Sequence, residues 1–244
     1  FYDFTDNRPV TSTNAEGERE ITWPANEFFA YDSGDLNQDL LIFVGVEPNL
    51  KWRTFSNVIA DVAQESEVSR IIMLGALLDS VPHTRAIKIS GGSTDPELRE
   101  KLGGMGIRGS GYQGPTGIST AVSQVFLGRQ MLFGSIWGHS PHYLEVSEYP
   151  KVSLAIIESL QKVLGARFDL EELRETEASF ARQFEKALEK EDELITYVQR
   201  LEHRYDASAQ ENEITQTPQE MVRVLEEFLK LRISEEDSEA ESQG

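Results

Sequence analysis

Two stretches of the chain are apolar without interruption after a charged first residue: Asp39–Val46 (D-L-L-I-F-V-G-V) and Arg70–Leu78 (R-I-I-M-L-G-A-L-L). Short runs rich in β-branched and aliphatic residues predict strands buried on both faces. Between them Trp52, Phe55, Ile59, Val62 and Ala63 recur at helical spacing. Together the three segments predict a strand–helix–strand unit closed by a right-handed parallel crossover. Met131–Trp137 is a third apolar run, and it breaks into a loop at Gly138-His139-Ser140-Pro141-His142-Tyr143.

Shorter signals fill in around these. Residues 1–16 are polar and read as loop and turn, with Arg19–Pro24 a short edge strand, since Pro24 cannot donate to a central ladder. Asn26–Tyr31 predicts another short strand, Asp32–Asp35 a turn, and Arg85–Ser90 a further strand. Asp95-Pro96-Glu97 is a helix start with a capping carboxylate and proline in the first turn, and that helix should stop near Leu102 at Gly103. A glycine-rich loop follows to Gly117, then a helix carrying Ile118, Val122, Val125 and Phe126. Lys151–Leu164 is amphipathic, and Gly165 is placed to end it.

Beyond residue 168 the pattern changes. Leu173, Phe180, Phe184, Ala187, Leu194, Val198, Leu201 and Tyr205 form a heptad-like seam, with Glu177 and Glu191 in the intervening seam positions. Residues 206–216 read as a polar linker. Thr217-Pro218-Gln219-Glu220 is a capping box opening a second helix with Met221, Val222, Leu225, Phe228 and Leu229. The expected organisation is an α/β domain over 1–168, a helical hairpin arm over 169–233 and an acidic, disordered tail over 234–244. The arm either packs back on its own domain or meets another subunit.

Composition narrows the partners. The net charge of -19 over 244 residues disfavours nucleic acid and anionic membrane surfaces, which would repel it. With no cysteine there is no disulfide framework, thiolate nucleophile or cysteine-based metal site. No run reaches 18 apolar residues and no signal peptide opens the chain, so a soluble, cytoplasmic protein is expected. Phe1-Tyr2-Asp3-Phe4 reads as mid-chain sequence, so further residues are expected upstream.

Candidate chemistry is sparse. Gly104-Met105-Gly106-Ile107-Arg108-Gly109 has the G-x-G-x-x-G spacing but follows a helix instead of a strand, so a glycine-rich loop is expected and no cofactor site. Neither a phosphate-binding Gly-Lys-Ser/Thr nor a Gly-x-Ser-x-Gly elbow occurs. Asp79, His83, His139 and His142 are the candidate catalytic residues. The histidines fall in two loops at one sheet edge, where with Glu47 and Asn49 they could rim a crevice. One of them could act there as a general base. The competing expectation is that these histidines hydrogen-bond the backbone of irregular loops. His139-x-x-His142 in a proline-containing loop lacks the placement of a metal pair, and no metal is expected.

Four strings resemble the proteasome assembly chaperone 2 family, most closely its actinobacterial branch: Asp79-Ser80-Val81-Pro82-His83-Thr84-Arg85, Tyr112-Gln113-Gly114-Pro115-Thr116-Gly117-Ile118, Trp137-Gly138-His139-Ser140-Pro141-His142-Tyr143 and Tyr149-Pro150-Lys151. The resemblance spans roughly residues 1–205. It implies a three-layer α/β/α sandwich with a mostly parallel sheet, similar to purine nucleoside phosphorylases but without their catalytic set. It also implies homo-oligomers, with trimers favoured, and for some relatives assistance in assembling the proteasome α-ring. Two departures stand out. Nothing here matches the family's upstream Gly-Trp-x-Asp-Ala-Gly-like turn, and Glu241-Ser242-Gln243-Gly244 lacks the hydrophobic-Tyr-x tail by which some archaeal relatives dock. The ATP-grasp label carried by some relatives finds no phosphate loop or magnesium carboxylate pair here. The expectation is therefore a non-enzymatic oligomer acting by protein–protein contact, with proteasome α-subunits as the implied partner. The alternative is a small-molecule binder or enzyme of nucleoside-phosphorylase-like architecture using the His/Asp rim.

Overall fold

The computed structural model describes residues 1–32, 39–109, 114–144, 146, 148–188 and 191–214. The expectations for the turn beyond residue 32, the centre of the glycine-rich loop at 110–113, the helix from 217 and the tail from 234 lie outside them.

Seven strands and six helices follow in the described chain. They are β1 (Val10–Thr13), β2 (Arg19–Thr22), β3 (Asn26–Tyr31), β4 (Leu40–Gly45), α1 (Trp52–Glu65), β5 (Ile71–Asp79) and β6 (Ile89–Ser93), then α2 (Pro96–Gly104), α3 (Ile118–Gly128), β7 (Phe133–Pro141), α4 (Pro150–Leu164), α5 (Glu171–Leu188) and α6 (Asp192–Ile214). The capping signals act as expected. Asp95 accepts from the Glu97 N–H at 2.9 Å, and Gly165 ends α4 at φ +66°. Residues 10–13, expected as loop, pair antiparallel with β2.

The sheet is mixed, which corrects the mostly parallel expectation. β7 lies between β5, parallel to it, and β6, antiparallel, while β3 and β4 form a separate antiparallel pair. The reason lies after β5. The carbonyls of His83 and Arg85 accept from Lys151 Nζ, and that of Ala86 accepts from the Tyr205 hydroxyl, so residues 83–86 are spent on α4 and α6. Strand β6 therefore starts at Ile89, not Arg85, and returns along β7.

Burial divides by strand parity. Phe133 joins Phe55, Ile59, Ala60, Ala63, Val122 and Phe126 beneath α1 and α3. Ile136, fully buried and of opposite parity, joins Leu98, Leu102, Val152 and Ile156 beneath α2 and α4. Gly138 lets α4 approach, because a Cβ there would meet Val152 at 2.5 Å and Ile156 at 2.9 Å. The two strands expected to be doubly buried are not: Val44 is 58% exposed and Leu78 68%. Among the described residues β4 pairs with β3 alone and β5 with β7 alone, so each has an edge without a neighbour.

At the C-terminal end the expected single seam is shared between two described helices, α5 and α6. Residues 206–214, expected as linker, continue α6. Val198 and Leu201 are buried, so this helix packs against its own chain.

Candidate functional site

Strand β7 runs on to Pro141, so His139 sits on the strand and not in the loop beyond it. Register places His139 opposite Leu77 of β5, with Asp79 two residues further along. Ser90 of β6 faces Trp137, on the same side of the sheet as His139. The three side chains meet. His139 Nδ1 lies 2.7 Å from Asp79 Oδ2, and His139 Nε2 lies 2.8 Å from Ser90 Oγ. An ionised carboxylate can only accept, so Nδ1 carries the proton and Nε2 accepts from the Ser90 hydroxyl.

Asp79 also accepts from the Ser80 N–H at 2.7 Å and pairs with Lys88 Nζ at 3.4 Å. Burial raises its carboxyl, but the His139 hydrogen bond, the Ser80 N–H and Lys88 together hold it below the usual aspartate range. Hydroxyl, imidazole and carboxylate in this order match the geometry of a hydrolase triad. The surroundings do not. Ser90 lies within a strand at 8% exposure, and the next N–H, from Gly91, donates to Arg108 O. An acyl-transfer site needs a free donor at that position for the oxyanion. The chain of bonds instead ties the ends of β5, β7 and β6 together.

His83 and His142 belong to a second cluster beneath the C-terminal helices. Tyr143 Oη accepts from the His83 backbone N–H at 2.8 Å and lies 2.7 Å from His83 Nδ1, to which its hydroxyl donates. His142 Nδ1 donates to Asp79 O at 3.1 Å, which leaves Nε2 to accept from the Tyr197 hydroxyl at 3.0 Å. Phe184 of α5 meets the edge of His83. Arg85 completes the seat of α6, with Asp206 at 2.8 Å and Glu202 at 3.0 Å, and Thr84 bonds to Glu202 as well. Burial pushes the Tyr143 hydroxyl up to about 12 and pushes the Lys151 ammonium down.

Burial, with the Lys151 charge, also holds the His83 imidazole below its usual 6.5, against the pull of Glu202 and Glu185. The unfolded chain therefore takes up this proton at a higher pH than the folded one. The contribution is complete above about pH 6.5 and is lost as pH falls toward the folded value. Thermal melts from pH 7 to pH 5.5 should show a falling midpoint, with a shallower fall in His83→Gln. An identical pH slope in the variant would remove His83 as the cause.

The remaining expectations separate from these clusters. Glu47 accepts from the Ile118 N–H at 3.0 Å and so occupies the N-terminus of α3. Asn49 bonds to Asp3 N–H and to Asp6 near the start of the chain. The G-x-G-x-x-G stretch begins on the last residue of α2 and turns at Gly106, φ +74°. A groove of about 510 Å3 runs beside β5, lined by Ala76, Leu78, Ser140, Val146, Tyr149 and Leu173 among others, and by none of the four candidate residues. Among the described residues no cluster of three metal-ligating side chains forms, and no helix is long and apolar enough to cross a membrane. Sequence reasoning missed Ser90, Tyr197 and Lys151. Lys151 alone had a signal, as the last residue of the Tyr149-Pro150-Lys151 string.

A search of curated proteins finds no significant match. The PAC2 family profile matches residues 1–188. The chain belongs to the PAC2 family. Among solved structures, a PAC2 family protein from Streptomyces avermitilis is 32% identical, with a TM-score of 0.71 over 81% of this chain and 82% of that one. A proteasome-assembly chaperone homologue from Mycobacterium tuberculosis is 29% identical, with a TM-score of 0.71 over 81% of this chain and 83% of that one. An archaeal proteasome activator from Pyrococcus furiosus shares the fold at 19% identity, with a TM-score of 0.58 over 73% and 76%. Two of the four strings that suggested the family seat α6 in this PAC2 chain. Thr84 and Arg85 of the first and His142 and Tyr143 of the third supply the contacts, and Lys151 of a further string holds the first in place.

Proposed function

We propose that this PAC2 protein is a non-enzymatic, cytoplasmic homo-oligomer, with trimers favoured, that acts by protein–protein contact in proteasome assembly or regulation. Its scaffold is read as a three-layer, phosphorylase-like α/β/α core over 1–168, carrying a helical arm over 169–233 and an acidic tail. The 29% identity to the mycobacterial proteasome-assembly chaperone homologue carries this reading. The engagement of the site supports it. Asp79, His83, His139 and His142 are all committed to hydrogen bonds within the chain, His83 and His142 beneath the C-terminal helices.

The test pairs light scattering with capture of purified proteasome α-subunits from the same organism. A stable oligomer that retains α-subunits supports the proposal. A strict monomer that retains none overturns it. A thermal shift with nucleosides or phosphate, abolished in His83→Gln, would instead favour the small-molecule reading.

A further inference from the structure

Helix α4 lies over β7, with Val152 and Ile156 against Gly138, and leaves the same face of β5 bare. Leu74, Ala76 and Leu78 alternate onto that face and are all exposed. Ile72, of the same parity, packs against the cluster that holds Val152 and Ile156, which fixes the face as the α4 side. The groove of about 510 Å3 lies on this strip, with Ala76 and Leu78 bounded by α4 at Val152 and Ser153 and by α5 at Leu173 and Thr176. A helix laid along it would extend the layer that α2 and α4 form over β6 and β7. Leu74 to Leu78 covers about 13 Å of strand, and i to i+7 of a helix covers about 11 Å. An apolar stripe at i, i+3, i+4 and i+7 therefore matches the three β5 side chains in length.

The rim is acidic. Glu148 is the one charged side chain lining the groove among the described residues. On α5, Glu172 stands one turn before Thr176 and Glu177 one turn after Leu173, so carboxylates flank both groove residues of that helix. None of the three has an ion pair among the described residues. The basic groups on neighbouring stretches are spent. Lys88 pairs with Asp79 and Arg174 with Glu158, while Lys151, though it feels Glu177, donates to the His83 and Arg85 carbonyls. Tyr149 also lines the groove, and its hydroxyl takes part in no hydrogen bond among the described residues. Burial pushes that hydroxyl well above the usual tyrosine range, so it stays neutral and can accept from an incoming cation.

We propose that this groove docks a basic amphipathic helix of a protein partner. Its apolar stripe lies on Leu74, Ala76 and Leu78, and its lysines or arginines meet Glu148, Glu172 and Glu177. The net charge of -19 steers such a partner toward the chain, and salt weakens the encounter. The inference gives the protein-contact reading above a surface and rests on that reading, but not on the proteasome as the partner.

The probe is a fluorescent peptide of about 18 residues, five turns of helix, with leucines at i, i+3, i+4 and i+7 and lysines elsewhere. One control peptide keeps the composition with its leucines out of phase, and another carries glutamate for lysine. Anisotropy with the full-length chain at physiological salt should show the basic amphipathic peptide binding about tenfold tighter than either control. Leu78→Gln should erase that difference. Leu78 is exposed, so this variant should keep the melting midpoint of the wild type. Glu148→Lys with Glu172→Lys should turn the preference toward the glutamate peptide. If the out-of-phase peptide binds as tightly, or if Leu78→Gln changes nothing, acidity alone attracts the peptide and the proposal falls.

Light scattering and α-subunit retention on the same chains separate the remaining outcomes. A change of oligomer mass in Leu78→Gln with peptide affinity unaltered would give this face to a second copy and overturn the proposal. Peptide binding that needs Leu78, without retention of proteasome α-subunits, keeps the groove and sinks the proteasome partner. Equal retention of α-subunits by wild type and Leu78→Gln, with no peptide bound, sinks the groove alone.

Discussion

Replacing Leu201 with alanine is expected to cost about 2–5 kcal/mol, the range for removing a buried leucine side chain, and to free α6 from the core. Leu201 is 1% exposed, and Val198, one turn earlier on the same seam, is buried beside it. The polar contacts of α6 are of another kind. Arg85 and Asp206 are each only partly buried, and ions screen such pairs. Arg85→Ala should therefore have the smaller effect, and its effect should shrink further at high salt. Hydrogen exchange gives the local readout. Leu201→Ala should remove protection from residues 192–207 while strands β5 and β7 keep theirs. Equal losses for the two variants would mean that the charges, and not the apolar seam, hold the helix.

His139→Ala is the second large expectation, at about 2–4 kcal/mol, because it strands two partners at once. Asp79 loses the donor that most lowers its carboxyl, and Ser90 is left with a buried hydroxyl facing a cavity. Ser90→Ala should cost only about 0.5–1.5 kcal/mol, since the imidazole keeps its carboxylate and loses one neutral hydrogen bond. The order separates a structural tie from a nucleophile. If Ser90 served as a nucleophile, a fluorophosphonate would label the wild-type chain and not Ser90→Ala. A tie predicts no labelling and a stability ranking of His139 well above Ser90. Chemical denaturation of the two variants with their melting midpoints measures it.

Most element types were legible in the sequence. Each follows from signals a few residues long: an apolar run for β4, β5 and β7, helical spacing for α1 and α4, a carboxylate cap at Asp95 and a left-handed stop at Gly165. Element pairing was less so. Nothing local to residues 85 and 86 shows that their carbonyls are taken by Lys151 and Tyr205, ahead of a β6 that runs antiparallel to β7. The extent of β7 was lost for a similar reason. Gly138 and Pro141 read as strand breakers, but α4 packs against the first and register with Asp79 carries the second.

The candidate site was half legible. The sequence named Asp79, His83, His139 and His142, because histidines and an aspartate at strand ends are worth naming in any α/β chain. It could not join Ser90 to His139 across 49 residues, or Tyr197 to His142 across 55. Hydrogen-bond partners on different strands are fixed by register, and register is a property of the folded sheet.

By itself, then, the sequence determined the order and kind of most elements, the strongly acidic surface, the exclusion of cysteine chemistry and the family strings. Each of these is set by composition or by neighbours along the chain. Only the tertiary structure decided that the sheet is mixed, that β4 and β5 each keep an edge without a neighbour among the described residues, and that the histidines are spent on internal bonds, His139 between strands and His83 and His142 beneath the C-terminal helices. It also decided that one seam is shared between two described helices. Helical phase is written residue by residue, while the docking of α6 depends on Arg85 and His142, more than fifty residues away in the chain.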